Sequence, residues 1–145
     1  MHRDSNRRTA TVALIALSTL LAACSTAQMR SKETQLTDTL KAYAATIRWG
    51  DVQQAQSFID PKVLAEHPPT SLELARFKQV QITGYDEQPA VPAGDNEVRQ
   101  MVEIGLVNVN SQAARSVIDR QVWRYDETAK HWWLMTGLPD ITRTQ

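Results

Sequence analysis

The chain has 145 residues, with 16 basic and 16 acidic side chains and a single cysteine, Cys24. This even balance argues against a nucleic-acid partner, because phosphate binding requires a basic surface. One cysteine excludes a disulfide framework, so the stability has to come from an apolar core, which a chain of this length can build.

The first 24 residues have the three parts of a secretory signal peptide. Three arginines precede an uncharged stretch, residues 9–23, which ends in small residues. This stretch is too short for a stable helical membrane anchor, which takes roughly 20 apolar residues. The order of charged, apolar and small residues therefore predicts export from the cytoplasm.

The stretch "LAAC" at residues 21–24 resembles the lipobox of bacterial lipoproteins, which runs Leu, small, small, Cys. The resemblance implies that the Cys24 sulfur carries diacylglycerol, that signal peptidase II cuts between Ala23 and Cys24, and that the new amino group is acylated. Two or three acyl chains anchor a protein firmly, since each buried methylene contributes ~0.8 kcal/mol. The alternative, a buried thiol in an ordinary helix, leaves the order of the preceding residues unexplained.

The resemblance also bears on the location and on the mature chain. Ser25, in place of an aspartate after the cysteine, implies an outer-membrane anchor facing the periplasm rather than the inner membrane. Removal of residues 1–23 takes away three Arg and one Asp, which leaves a formal charge of −2. We expect residues 24–33 to form a polar, lipidated tether, and residues 34–145 to form one domain.

Helical periodicity starts at Thr34. An apolar stripe at three- and four-residue steps predicts a first helix, with Leu36, Leu40, Tyr43, Ala44 and Ile47 on one side. Gly50 suits a left-handed helix end, and Asp51 suits the N-cap of a second helix, Val52 to Ile59. Thr70 and Glu73 have the spacing of a capping box, which predicts a short helix to about Phe77.

From Lys78 the period changes to two, which predicts strands. After Val80 and Ile82, the strand candidates are Glu97 to Asn110, Ala114 to Tyr125 and His131 to Thr136. Residues 86–96 contain two prolines and a glycine and are expected to form a loop or an irregular edge. Gly105 indicates a bend or bulge in a curved sheet. Helices followed by an antiparallel sheet predict an α+β fold, with a core supplied largely by Trp49, Trp123, Trp132 and Trp133.

Two stretches, "LKAYAATIRWGDVQQAQSFIDP" and "RQVWRYDETAKHWWLMTGLP", resemble the nuclear transport factor 2-like superfamily. The resemblance covers most of Leu36 to Pro139 and implies a cone of bent antiparallel sheet, closed by N-terminal helices and often open to a pocket. The superfamily includes isomerases, cyclases, dehydratases and many non-catalytic modules. Its ketosteroid-isomerase-like members use an Asp base with a Tyr and a protonated acid as oxyanion donors, and no motif places these roles on this chain.

Asp119 is the residue whose sequence context most favours a catalytic role. On a regular strand it shares a face with Val117, Gln121, Trp123 and Tyr125. A carboxylate among aromatic rings has a raised pKa and is suited to act as a base. The structural alternative, a partly solvated face or an ion pair between Asp119 and an arginine, is the commoner arrangement and is preferred, and the same holds for Glu103.

Trp132 and Trp133 point to opposite sides of a strand, so one faces the interior and the other the outer surface. The interior ring is suited either to stack on a flat ligand or to fill the core, and the core is the commoner outcome. His131, beside a turn, is expected in solvent. His67 and His131 are far apart in sequence without a thiolate, so neither a metal nor a cofactor is predicted.

The residues of a candidate pocket are thus Tyr43, Asp119, Trp123 and Trp132, with no residue assigned as catalytic. Two classes of function remain open. The first is a membrane-anchored, non-enzymatic module that binds an envelope protein or a small ligand, or serves as an accessory in an envelope assembly. The alternative is a small-molecule isomerase or cyclase working in the cone's pocket.

Overall fold

The computed structural model describes residues 29–142. Cys24, the predicted cleavage site and the signal segment lie outside the described residues. The described residues divide into two units, 29–37 and 38–142. Helix α1, residues 29–48, is already helical where the description begins. Residues 29–33 of the predicted tether are therefore helical, because Met, Arg, Lys and Glu are good helix formers even without an apolar stripe, and residues 24–28 of that tether lie outside the described residues.

Three short helices follow α1 and are capped largely as predicted. They are α2 (Val52–Ala55), which continues as a 3-10 turn (Gln56–Phe58), α3 (Pro61–Glu66) and α4 (Ser71–Phe77). Gly50 adopts a φ of +75°, and Asp51 accepts the α2 cap hydrogen bond from the backbone N–H of Gln54 at 3.0 Å. The Thr70–Glu73 capping box is present at the start of α4.

The second helix stops short of the predicted Ile59. Ile59 forms a parallel bridge with Leu134, and the next backbone N–H, of Asp60, donates to the Leu134 carbonyl at 3.0 Å. This tertiary pairing draws Ile59 into an extended conformation, with a ψ of 139°. Local helical periodicity is overridden there by contact with the sheet.

The sheet is a curled antiparallel half-barrel, which together with the helices confirms the predicted α+β class. Its strands are β1 (Val80–Glu87), β2 (Val91–Gly94), β3 (Glu97–Asn108), β4 (Ala114–Asp126) and β5 (His131–Leu134). The order is β1-β3-β4-β5, and β2 pairs with β3 as a short irregular edge. β5 ends two residues before the predicted Thr136.

A bulge on β1 lies opposite Gly105 of β3. Ile82 pairs with Leu106 and Gly84 pairs with Gly105, so Thr83 is the extra residue. A Cβ at position 105 would lie 3.0 Å from Thr83 Oγ1 and 3.2 Å from the Gly84 nitrogen. Because Gly105 has no side chain, the bulged strand β1 can lie close to β3 at this point. This agrees with the bend or bulge predicted at Gly105.

One face of the sheet, here called the inner face, forms the core. Alternate residues of β3 and β4 are buried on it: Val98, Gln100, Val102, Ile104 and Leu106, and Val117, Asp119, Gln121, Trp123 and Tyr125. The Tyr43 ring of α1 packs edge-on against Trp123, with 5.3 Å between ring centroids, and against Phe58 at 5.4 Å. These contacts pack α1 at Tyr43 against the sheet, and Ala44 and Ile47 beside it are buried as well.

Trp49 was predicted in the core, and the structure contradicts this. Its side chain is 87% exposed, whereas Ile47 is buried. Two residues correspond to about 200° around a helix, so Trp49 points away from the buried stripe. Within residues 29–142, none of the helices has both the length and the apolar character needed to cross a bilayer.

Candidate functional site

Polar side chains interrupt the apolar inner face near its middle. Asp119 and Gln121 emerge from β4 on the same side, because side chains two residues apart on a strand share a face. Both are buried, with relative exposures of 9% and 1%. Together with Tyr43 of α1 and Tyr85 of β1, they are called the inner-face polar cluster below.

Gln121 joins the cluster with one amide group. Its Nε2 donates to Asp119 Oδ2 at 2.8 Å and to the Tyr85 hydroxyl at 2.9 Å. Its Oε1 accepts from Trp123 Nε1 at 3.0 Å. Since an indole nitrogen can only donate, Trp123 fixes which end of the amide faces Asp119. Both N–H groups of the Gln121 amide are therefore engaged, and its oxygen links the cluster to Trp123.

Burial dominates the electrostatics of Asp119. It raises the pKa of this carboxyl to about 6, and the hydrogen bond from Gln121 opposes the rise. The preferred expectation, a partly solvated face or an arginine partner, was wrong. Asp119 lies on the inner face of β4, where its side chain is buried. Its hydrogen-bond partner there is the neutral amide of Gln121 and not an arginine.

The two tyrosines remain phenols across the ordinary pH range. Burial raises the pKa of Tyr43 well above its usual value, and the Asp119 charge raises it further. Burial likewise raises the pKa of Tyr85, against a lowering effect of the Gln121 hydrogen bond. The Tyr43 hydroxyl is buried without a hydrogen-bond partner among the described residues. Two phenols and a carboxyl group of raised pKa form a set able to donate or accept a proton.

Three of the four predicted pocket residues lie together. Tyr43 touches Trp123, and the charge of Asp119 acts on Tyr43. Trp132 is buried elsewhere, against Tyr125 at 5.2 Å between ring centroids. Tyr125 lies six residues beyond Asp119 on β4, which is roughly 20 Å along a strand. Trp132 therefore fills the core at the far end and does not share a site with Asp119.

Tyr85 was missed by the sequence analysis because of the bulge. Strict alternation from Val80 and Ile82 places residue 84 inside and residue 85 outside. The extra residue at Thr83 reverses this order, so Tyr85 pairs with Ile104 and reaches Gln121 from the inner face. Gly105 indicated a bulge in the sheet from the sequence, but a glycine on β3 does not show that the extra residue lies on the neighbouring strand β1.

The other residues considered in the sequence analysis are exposed or half-buried. Glu103 is exposed on the outer side of β3. Trp133 is half-buried, on the opposite side of β5 from buried Trp132, as predicted. His131 is also half-buried and not fully in solvent as expected, because its ring packs against Trp133 with 4.2 Å between centroids. None of these positions adds to the inner-face polar cluster.

Two surface concavities lie away from this cluster. A groove of about 800 Å³ runs between α3–α4 and the segment after β5, Met135 to Thr142. A hollow of about 350 Å³ is lined by the four residues that follow Trp49 and by α4. Neither includes any member of the inner-face polar cluster, whereas the hollow directly adjoins the exposed Trp49 in sequence.

Among residues 29–142, no group of three or more His, Cys, Asp or Glu side chains is arranged to hold a metal ion. The inner-face polar cluster itself offers a single carboxylate. No protein-family model matches the chain, and neither does any curated protein.

Proposed function

We propose that the chain is a membrane-anchored envelope lipoprotein with a nuclear transport factor 2-like domain that binds a partner protein through its outer surface. The observation that carries this proposal is Trp49, which exposes 87% of its side chain at the end of α1. Tryptophan is enriched at the centres of protein interfaces, where its large ring is desolvated by the partner.

The surroundings of Trp49 favour the same function. The four residues that follow Trp49 in sequence line a hollow together with α4, and its apolar side chains include Val52, Leu74 and Phe77. The inner face, in contrast, is filled by the protein's own aromatic rings, Tyr43 and Trp123. An interior packed in this way supports binding by the exterior.

Site-specific crosslinking tests the partner. A photoreactive amino acid at position 49 of the full-length protein, irradiated in cells, is expected to join one discrete partner. The same amino acid at exposed Val109, in the β3–β4 turn, is the matched control. The Trp49→Ala variant should lose co-purification of that partner, and Val109→Ala should retain it. Equal crosslinking from both positions, or from neither, contradicts the proposal.

The membrane anchor rests on the lipobox-like stretch that ends at Cys24. Mass spectrometry of the protein extracted from membranes should show a chain that starts at Cys24 and carries diacylglycerol and an N-acyl chain. The Cys24→Ala variant should remain uncleaved and carry no lipid. Fractionation of the envelope should place the wild type in the outer membrane, as Ser25 favours. An uncut N-terminus in the wild type would refute the lipid anchor, and it would leave the proposed partner binding through Trp49 unaffected.

A second candidate function, proton transfer on a small carbonyl compound, is favoured by one observation. Asp119 has a pKa of about 6 and lies in a cluster with two phenols, of which Tyr43 has an unpaired hydroxyl among the described residues. A base of that pKa works near neutral pH, and phenols can stabilise a developing enolate.

Isotope exchange separates this candidate from the binding module. The full-length protein is incubated in D₂O with a panel of enolisable ketones, and deuterium incorporation beside the carbonyl is followed by mass spectrometry. An enzyme should accelerate exchange of at least one ketone, and Asp119→Asn should abolish the acceleration. Exchange at the rate of the protein-free control leaves the cluster a structural one.

A further inference from the structure

A groove of about 800 Å³ lies between α3–α4 and the segment Met135–Thr142. Its apolar surface comes from side chains that are half-buried: Val63, Phe77, Met135 and Leu138. One wall is a run of eight consecutive residues outside any helix or strand. A partly apolar groove between two helices and an irregular segment offers a docking surface for a peptide chain.

The walls of the groove are held in place by hydrogen bonds before anything binds. On one side, Glu73 Oε2 accepts from the Thr70 backbone N–H and hydroxyl, each at 2.7 Å. On the other side, an Arg115 guanidinium nitrogen donates to the Ile141 carbonyl. Asp140 accepts from Thr142 through its backbone N–H at 2.9 Å and its hydroxyl at 2.6 Å. A preformed site binds with a smaller loss of conformational entropy.

The charge of the groove is predominantly negative. Three exposed carboxylates line it, Glu66, Glu73 and Asp140, against one exposed guanidinium, Arg76. Hydrogen bonds from Thr70 hold the pKa of Glu73 below its usual value, so this carboxylate is ionised at neutral pH. Carboxylates and apolar side chains lining one groove complement a ligand that carries cationic side chains next to apolar ones.

We infer that this groove is the docking site for an extended, basic and apolar peptide segment of the partner protein. The inference rests on the proposed function and deepens it. Lys or Arg side chains of the segment meet Glu66, Glu73 and Asp140, and its apolar side chains lie on Phe77 and Leu138. The groove and the hollow lined by the residues that follow Trp49 both involve α4, and Phe77 lines both concavities.

The experiment is a selection of displayed random octapeptides on the full-length protein in detergent. Enriched peptides should combine Lys or Arg with apolar residues, and their affinity should fall with salt. The double variant Glu73→Gln/Asp140→Asn removes two charges and keeps hydrogen-bond acceptors for the cap and the turn. It should weaken binding of an enriched peptide by about tenfold. Glu103→Gln, which removes an exposed carboxylate from β3, should leave binding unchanged.

Enrichment of acidic or uncharged peptides overturns the inference, and so does the absence of enrichment. Equal binding by the wild type and the double variant also overturns it. A photoreactive group at Leu138 distinguishes this failure from failure of the proposed function. Crosslinking to the partner from position 49 but not from position 138 refutes the groove alone, whereas crosslinking from neither position refutes the binding module as well.

Discussion

The Gln121 amide donates to the Asp119 carboxylate at 2.8 Å, from two residues further along the same strand. This contact alone would lower the pKa of Asp119. The burial of both side chains on the inner face has the larger effect and raises that pKa to about 6. A single neutral donor does not replace the hydration that the carboxylate loses on folding.

The pH dependence of stability follows from this raised pKa. The unfolded chain ionises Asp119 at its ordinary pKa of 3.8, whereas the folded chain does so at about 6. Between these values the folded state binds more protons, so the free energy of unfolding falls as pH rises through this window. The Asp119→Asn variant lacks this pH-dependent loss. Its free energy of unfolding should therefore increase by about 3 kcal/mol relative to that of the wild type as pH rises from 3.5 to 7.

Urea denaturation of wild type and Asp119→Asn at several pH values measures the difference. Comparing the two proteins cancels the effect of other carboxyl groups whose pKa is lowered, such as half-buried Glu97 beside Arg124. A difference between the two proteins that does not change across pH 4–6 contradicts the burial of Asp119. Exposed Glu103→Gln is the control and should follow the wild-type curve in this window.

The two tyrosines of the inner-face polar cluster should respond in opposite directions to loss of the hydroxyl. The Tyr43 hydroxyl is buried without a partner among the described residues, so Tyr43→Phe should raise the free energy of unfolding by about 1 kcal/mol. Tyr85 accepts from Gln121 at 2.9 Å, so Tyr85→Phe should lower it by about 1 kcal/mol. Thermal and urea unfolding of both variants at one pH checks this. Changes of the same sign refute the assigned hydrogen bonding.

The sequence was sufficient for the elements and for the local caps. Alternation along β3 and β4 predicts the buried face, and the capping residues Asp51 and Thr70 predict helix starts that the structure contains. These signals depend on residues within one turn or one strand. The helical period also places Trp49 about 200° from Ile47, away from the buried side of α1. The position of Tyr85 depends on a bulge set by a neighbouring strand, so it does not follow from periodicity alone.

The bulge itself is testable at Gly105. Gly105→Ala places a Cβ 3.0 Å from Thr83 Oγ1 and 3.2 Å from the Gly84 nitrogen. The second contact is with backbone, so the strands must separate, and the variant should lose about 1–3 kcal/mol. Gly94→Ala, on edge strand β2, meets no atom within 4 Å and should change stability by less than about 0.5 kcal/mol. Equal effects in the two variants would mean that β1 does not bulge onto Gly105.

The tryptophans should differ sharply in their access to solvent. Trp49 is 87% exposed, whereas Trp123 and Trp132 are 0% and 5% exposed. Acrylamide should therefore quench one fraction of the emission readily, and Trp49→Phe should remove most of that fraction. The same substitution should change the free energy of unfolding by less than about 0.5 kcal/mol, because an exposed ring forms few contacts on folding.

Binding of the partner turns this fluorescence difference into an assay of the docking surface. If the partner covers Trp49, addition of the purified partner should protect the readily quenched fraction, and Trp49→Phe should eliminate the protected signal. Trp133→Phe, a half-buried ring on β5, is the matched control and should keep it. Protection that persists in Trp49→Phe would place the interface elsewhere. A partner that binds without protecting any tryptophan would exclude Trp49 as its anchor.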